Sequence, residues 1–516
     1  MLRIGIDVGG TNTDAVVMDG QTVVEWIKMN NSADITGGVT AALDQLLAKA
    51  RVATDRVGAV MIGTTQFTNA VVQRRDLSQV AAIRLGLPAT QSLPPMVDWP
   101  DDLRETVGNC WFLAHGGYEF DGRVISPLDA AEVREIAAEI RRRQIRYVAI
   151  SAVFSPINQE MEREAAQIIE AEVPGVRITL SEEIGRIGLL ERENAAILNA
   201  CLQELGGRTI GAFAAALAAA GVTAPLFLTQ NDGTLMSAAY ATRFPVLTFA
   251  SGPTNSMRGA AFLSGLQEAL VVDIGGTTTD VGALRHGFPR EAGAVVEVGG
   301  VRTNFRMPDV LSIGLGGGSL VVVDGAERPR IGPQSVGYRL VDEGLIFGGG
   351  TLTATDIAVA GGQAHLGDAT RVRDLDTDVV ERALATMAEM VDIACDRMLL
   401  TPDSVPVLVV GGGSILVGDH ISRLAATRPP YYQVANAVGA AIAQISGEID
   451  RVYSLAEVPR EQALADAKGE ATRRAVEAGA SPGSVQIVDV EEVPLAYLPS
   501  NATRIHVKAV GDLNFD

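Results

Sequence analysis

A chain of 516 residues can form two or more domains with sizeable cores, and its 47% hydrophobic and 20% charged content is globular, with no disordered stretch in view. The net charge of −20 at pH 7 argues against nucleic acid or an anionic membrane as partner, because a phosphate backbone would be repelled. Cys110, Cys201 and Cys395 are odd in number and widely spaced, which suits reduced thiols in a cytosol and excludes a disulfide framework or a cysteine-rich zinc site.

The apolar run Leu2 to Ile6 reads as a buried strand. It leads into Asp7-Val-Gly-Gly-Thr-Asn-Thr-Asp14, and a second apolar run follows, closed by a turn at Asp19-Gly20. The element is strand, tight glycine turn, strand. A glycine pair lets backbone N–H groups approach a ligand and point inward, as polyphosphate oxygens require. Taken once, the same spelling is equally an ordinary hairpin turn. From Thr36 to Ala50 the pattern is helical, with Val39, Leu43, Leu46 and Leu47 on one face, and Val57 to Ile62 reads as a strand. That strand ends in Gly63-Thr64-Thr65, with Thr68-Asn69-Ala70 just beyond. Either Thr65 or Thr68 caps the next helix, or these hydroxyls and Asn69 line a cleft. Residues 81–130, rich in Pro, Gly and turns, are expected to be an insertion on the first core. Helix Asp129 to Arg143, strand Tyr147 to Ser151, helix Asn158 to Glu172 and strand Arg177 to Leu180 then alternate in the rhythm of a mainly parallel sheet. Residues 186–220 read as one or two long helices joining two halves, with Gly206-Gly207 the expected break.

The second half opens with strands Leu226 to Thr229 and Val246 to Phe249. They deliver Gln230 to Gly233 and Ser251 to Asn255 toward one edge, where α/β folds place ligands. Leu270 to Val272 then leads into Asp273-Ile-Gly-Gly-Thr-Thr-Thr-Asp280, and the next apolar run closes at His286-Gly287. This stretch matches the first at six of eight positions in the same setting, which favours a pair of phosphate hairpins in a duplicated domain over two coincident turns. Asp7 and Asp273 end their strands beside the turns, where two carboxylates would repel unless a divalent cation lay between them. Mg²⁺ carried by a nucleotide is the natural occupant, since it takes one or two carboxylates plus phosphate oxygens. In Ile313-Gly-Leu-Gly-Gly-Gly-Ser319 the glycine density exceeds the needs of one turn, and means either a flexible loop or close approach to substrate or phosphate. Strand Val405 to Val410 runs into Gly411-Gly412-Gly413-Ser414, where a flat ring can pack on bare backbone; this loop is read as the adenosine site. Neither a Walker A sequence nor a Rossmann fingerprint after a strand is present. The helix Ala435 to Ile442 carries small residues on successive turns, which permits close helix packing. The tail from about 450 reads as strand, charged helix (Arg460 to Ala478) and strands near Val485 and Ile505, a small α+β appendage. With no basic and apolar stretch ahead of the first strand, no signal peptide is expected. The best apolar candidate for a membrane span, 211–228, is an Ala-rich amphipathic helix broken by Gly221 and Pro225, so a cytoplasmic protein is expected.

Together, Asp7 to Asp14, Gly63-Thr64-Thr65 with Thr68-Asn69-Ala70, Gln230 to Gly233, Ser251-Gly252-Pro253, Asp273 to Asp280 and Ile313 to Ser319 resemble the hydantoinase/oxoprolinase family, A-type subunit, over about residues 1 to 445. The order of hairpins, connecting helix and glycine loop is similar to the duplicated ATPase fold of actin, the heat-shock chaperone ATPases and the sugar kinases. The resemblance implies an α/β, duplicated RNase H-like fold with two phosphate hairpins around a central cleft. The expected domains are 1–185, 186–449 and a C-terminal α+β appendage, 450–516. It further implies ATP-dependent phosphorylation of the carbonyl oxygen of a cyclic amide, such as a hydantoin or 5-oxoproline-like lactam, often with a B-type subunit; related subunits serve ketone carboxylases. Asp7 and Asp273 would hold Mg²⁺, and Gly9, Gly10, Thr11, Asn12 and Thr13 with Gly275, Gly276, Thr277 and Thr278 would cradle the phosphates of ATP. Gly411, Gly412 and Gly413 would take adenosine, while Thr64, Thr65, Asn69, Gly316, Gly317 and Gly318 would face the substrate. Asp14 and Asp280 either orient the threonines or cap the turns. The long members of the family continue well beyond the small-residue helix, and a short form without that large C-terminal region is expected here. A small-molecule kinase, an ATP-binding regulator and a carboxylase subunit are the alternative readings, and an oligomer is compatible with each.

Overall fold

The computed structural model describes residues 1–30, 35–185, 187–292, 296–304, 307–323, 328–399, 405–421, 424–495 and 501–514. β1 (Leu2–Val8) and β2 (Asn12–Asp19) form an antiparallel hairpin that β3 (Thr22–Asn30) extends. After α1 (Ile35–Ala50), β4 (Val57–Thr64) returns parallel to β1. Both strands are near-continuous apolar runs because helices cover the two faces of the sheet. Val39, Leu43 and Leu46 of α1 are fully buried against one of them.

Beyond α2 (Gln66–Gln73) the chain leaves this sheet. β5 (Val80–Leu87), α3 (Asp101–Thr106), β6 (Cys110–His115), α4 (Ala130–Arg142), β7 (Tyr147–Ala152), α5 (Glu160–Glu172) and β8 (Arg177–Leu180) make a separate unit around a four-stranded parallel sheet, ordered β6-β5-β7-β8. The expected insertion is thus longer than 81–130, and the strand-helix alternation belongs to it rather than to the main sheet. α6 (Leu189–Ala219) follows as one unbroken helix. Gly206-Gly207 does not break it: each glycine costs only about 1 kcal/mol relative to Ala, and the helix is held by a long buried face from Arg192 to Gln203.

One ion pair ties the insertion to α6. Arg84 of β5 is fully buried and donates to both carboxylate oxygens of Glu193, at 2.7 and 2.5 Å, and to the carbonyl of Leu93; Ser151 adds a hydroxyl to Glu193 at 2.7 Å.

β9 (Leu226–Thr229) and β10 (Thr234–Ser237) rejoin the first sheet, followed by α7 (Ala238–Arg243). Val246 to Phe249, expected as a strand, is instead part of a 3₁₀ turn, Pro245–Thr248; its leading proline has no N–H for a ladder. α8 (Ser251–Ser264) starts directly after it. β11 (Ala269–Ile274) and β12 (Thr279–Arg285) form the second hairpin and, with Val407–Val410 parallel to β11, the middle of the second sheet. The helices Ala354–Ala360 and Thr377–Met398 cover that sheet.

The tail is not an appendage. Gln444–Ser454, Ala502–Gly511 and Gln486–Pro494 extend the first sheet, whose order is Gln486–Pro494, Ala502–Gly511, Gln444–Ser454, β10, β9, β4, β1, β2, β3. A boundary at 450 would cut a strand, and the helix Arg460–Glu477 packs its buried Ala463, Ala467, Ala471 and Ala475 on this extension. Among the described residues no helix is long and apolar enough to cross a membrane.

Candidate functional site

The two hairpins fold alike to the residue. In the first, Asp7 sits directly opposite Asp14 and the Gly9 N–H closes the turn on the Asn12 carbonyl at 3.0 Å. In the second, Asp273 sits opposite Asp280 and the Gly275 N–H closes on the Thr278 carbonyl at 2.9 Å. Directly opposed residues share a face of the ribbon, so each hairpin brings two carboxylates together at its base. A glycine leaves room beside each leading aspartate. A Cβ on Gly63 would lie 2.6 Å from Asp7 Oδ1, and one on Gly411 would lie 2.4 Å from Asp273 Oδ1. The tips meet: a Cβ on Gly276 would fall 2.7 Å from the Thr11 hydroxyl.

The carboxylates are crowded and short of counter-charge. Asp7 is buried, and burial, reinforced by Asp14, pushes its carboxyl up to about 7. Its Oδ2 accepts from Asn436 at 3.0 Å, whereas its buried Oδ1 has no partner. Burial, with Asp273 adding, likewise raises Asp280 to about 7, against a hydrogen bond from the Ser312 hydroxyl. Asp273 is shifted upward by burial as well, opposed by the Ser256 hydroxyl and by Lys28. Asp14 is the better compensated: Lys28 Nζ lies 2.5 and 2.7 Å from its oxygens and Asn436 donates to it at 2.8 Å. Asp14 thus bonds to a lysine and an asparagine, and Asp280 to a serine.

Lys28, Ser256 and Asn436 are members of this cluster that sequence reasoning did not single out, whereas Asn255 ends the stretch expected at the ligand edge. Asn255 and Ser256, adjacent on α8, face Asp7 and Asp273 respectively. They reach so far in because α8 and the helix Ala435–Ala441 cross almost backbone to backbone. A Cβ on Gly259 or on Gly439 would stand 1.8 Å from the carbonyl oxygen of Ala435 or Asn255. The small residues read from the sequence thus serve to bring Asn436 to the aspartates. Gly439→Ala is expected to force this crossing apart, cost about 1–3 kcal/mol by overpacking, and weaken nucleotide binding with it. Chemical denaturation and a nucleotide titration on the same variant check both effects.

Of the remaining expected residues, Gly411 and Gly413 are tied to the second hairpin. Gly411 has φ +86°, and Gly413 N–H bonds the Ile274 carbonyl at 2.7 Å. Gly412 is exposed beside Lys28, and a cleft of about 540 Å³ runs between Asn12, Lys28, Trp26, Lys49, Gly412 and Gln433, joining the first hairpin to the glycine loop. Thr64 is buried and accepts from Gln66 N–H at 3.3 Å. Thr65 stands at the N-cap of α2 without a side-chain cap bond; instead Asn69 Nδ2 donates to its hydroxyl at 3.4 Å, on an exposed edge beside Gly252. Gly316, Gly317 and Gly318, expected to face the substrate, pack directly on the second hairpin. They are buried behind the second hairpin, with the N–H groups of Gly317 and Gly318 on the carbonyls of Gly275 and Gly276 at 3.0 and 2.8 Å. A Cβ on Gly316 would clash with Thr277 N at 2.4 Å, so the glycines there permit a buttress.

An oxygen-only donor set with an orphaned, buried carboxylate oxygen suits a hard divalent cation. Among the described residues no three His, Cys, Asp or Glu side chains form a metal cluster, so such a cation would draw most of its ligands from phosphate and water.

Comparison with known proteins places this arrangement. Residues 3–173 match the hydantoinase/oxoprolinase N-terminal region and residues 192–368 the hydantoinase/oxoprolinase model that follows it. The chain is 27% identical to the caprolactamase subunit alpha of Pseudomonas jessenii, over 65% of this chain and 51% of the relative. It is 26% identical to the acetophenone carboxylase gamma subunit of Aromatoleum aromaticum, over 69% of this chain and 52% of the relative. It therefore spans about half the length of these two curated relatives. The solved structure of the ATP-dependent caprolactamase from Pseudomonas jessenii superposes with a TM-score of 0.78 at 20% identity, covering 99% of this chain and 88% of that one, which shows a shared mixed α/β fold. With both family regions in sequence order and the hairpins built on them, the chain belongs to the hydantoinase/oxoprolinase family.

Proposed function

We propose that this chain is the ATP-binding, carbonyl-activating subunit of a cyclic amide hydrolase. The observation that carries the reading is the pair of like hairpins meeting tip to tip, each with a leading aspartate beside a glycine gap and one of them with a buried carboxylate oxygen unpartnered. Two halves of actin-like ATPase type, one hairpin each, would then clamp the triphosphate. Asp7 and Asp273 would hold Mg²⁺ directly or through water, and the cation would supply charge neutralisation to the transferring phosphoryl group. The turn N–H groups and threonine hydroxyls of residues 9–13 and 275–278 would hold the phosphates in line, and Gly411 to Gly413 would take the adenosine. Catalysis of this kind is mostly positioning and charge neutralisation. A lactam nitrogen makes the ring carbonyl a poor electrophile; with a phosphoryl group on its oxygen, water would add to the ring carbon, the adduct would break its C–N bond and release the ring nitrogen as a protonated amine, and a second water at the carbonyl carbon of the resulting acyl phosphate would release phosphate and the open-chain acid. The substrate edge would be formed by Thr65 and Asn69.

The similarity to a carboxylase subunit supports a second reading, phosphorylation of a ketone's enolate oxygen, on the same ATP site. Phosphate release and ring opening followed together with hydantoin, 5-oxoproline and caprolactam, with and without a B-type subunit, test the proposal. ATP turnover stimulated by a cyclic amide and coupled to ring opening is expected. ATP turnover indifferent to every cyclic amide but stimulated by a ketone with bicarbonate would transfer the proposal to the carboxylase reading.

A further inference from the structure

A second cavity, of about 670 Å³, lies between residues 182–185 with Ile187, the turn after β9, α7 and the strand Gln444–Ser454. No hairpin or glycine-loop residue lines it, and its size is that of a small-molecule pocket. Its wall has mixed sign and is acidic in balance, with five carboxylates, Glu183, Asp232 and Glu448 among them, against three guanidinium groups, Arg243 among them, around Asn231 and Tyr240. Much of that charge is already engaged. Arg243 donates to Glu183 Oε1 at 2.5 Å, Glu448 meets His506 at 2.6 Å, and Asp232 pairs with Lys508 at 2.7 Å.

Two polar atoms stand apart. Asn231, 5% exposed, has no partner for its Nδ2, and the second carboxylate oxygen of Glu183, Oε2, is buried without one. A buried donor and a buried acceptor left unmade are costly, and in a native protein each asks for a ligand or a water. A cation alone would serve Glu183 only, an anion alone would serve Asn231 only, and an apolar molecule neither. An ammonium makes a charge-assisted bond to a carboxylate that a neutral amide N–H does not match.

We propose that this cavity binds a small amino acid or similar zwitterion, its ammonium on Glu183 and its carboxylate on Asn231. The site goes beyond the ATP-dependent reaction and does not depend on it. It is nonetheless wired to the hairpins. The Asn231 carbonyl accepts from the Thr254 hydroxyl at 2.9 Å, the next residue, Asn255, faces Asp7, and Asn255 also donates to Thr229 at 3.0 Å, two residues before Asn231.

Calorimetric titration of the full chain tests the proposal, using glycine, β-alanine, glutamate and the open-chain amino acid of caprolactam, each against its matched amine, its matched acid and caprolactam itself. At least one zwitterion is expected to bind with one-to-one stoichiometry, about tenfold or more tighter than its single-charge analogues. Glu183→Gln and Asn231→Leu should each remove about tenfold of that affinity. If Asn231→Leu fails to fold, Asn231→Asp keeps the size and exchanges the donor for an acceptor, and the same loss is expected. No saturable heat from any zwitterion, equal binding of the amine, acid or lactam, or binding that survives both substitutions would overturn it.

Discussion

Asp7→Asn and Asp273→Asn are each expected to lower ATP turnover by roughly a hundredfold or more, because each deletes charge from the point where phosphate and cation would meet. Neither change should unfold the chain. The Asp7 carboxyl is buried, repelled by Asp14 and pushed up to about 7, so its charged form is a burden on the nucleotide-free fold. A carboxamide of the same size removes that burden, and the melting temperature of Asp7→Asn without nucleotide should be unchanged or higher. Phosphate release and thermal unfolding measured on the same preparations separate the effects. Wild-type turnover in both variants would reduce the hairpins to structural turns.

The largest expected loss of stability lies far from the hairpins, in Glu193→Ala. Arg84 is fully buried, and Glu193 supplies both carboxylate oxygens that its guanidinium uses. Truncation leaves that cation with the Leu93 carbonyl and strands the Ser151 hydroxyl. Removing one partner of a buried pair typically costs about 3–5 kcal/mol, since an uncompensated charge remains inside. Replacing both partners, as Arg84→Met with Glu193→Leu, should recover much of the loss. Urea unfolding of the single and double variants measures this; a single-variant change within about 0.5 kcal/mol, as for a surface site, would mean the pair is not the joint between insertion and α6.

The sequence was most readable where structure is local. Asp7 to Asp14 and Asp273 to Asp280 betray their turns through glycine pairs and flanking apolar runs, and both form hairpins as expected. Local pattern fails where tertiary packing decides. Val246 to Phe249 has strand composition, yet Pro245 and the start of α8 hold it in a 3₁₀ turn. Gly206-Gly207 has the composition of a break, yet the buried face of α6 keeps it helical. The strands of the tail are visible in sequence, but their joining of the first sheet is a matter of partner choice. The second layer of the candidate site was hidden for the same reason. Asn436 lies 429 residues from the Asp7 it bonds, and Lys28 looks like any solvent-facing residue of a strand until Asp14 is found opposite it. Gly316 to Gly318 could be flagged by density but not oriented, and they turned out to support the hairpin from behind.

Transfer of oxygen is the most direct test of the proposed chemistry. A cyclic amide carrying heavy oxygen in its ring carbonyl would be incubated with ATP, this chain and a candidate B-type subunit, and the released phosphate and ring-opened acid analysed by mass spectrometry. If phosphorylation of the carbonyl oxygen makes it the leaving group, the heavy oxygen departs with phosphate, one label per ring opened. Label retained wholly in the acid, with unlabelled phosphate, would contradict it.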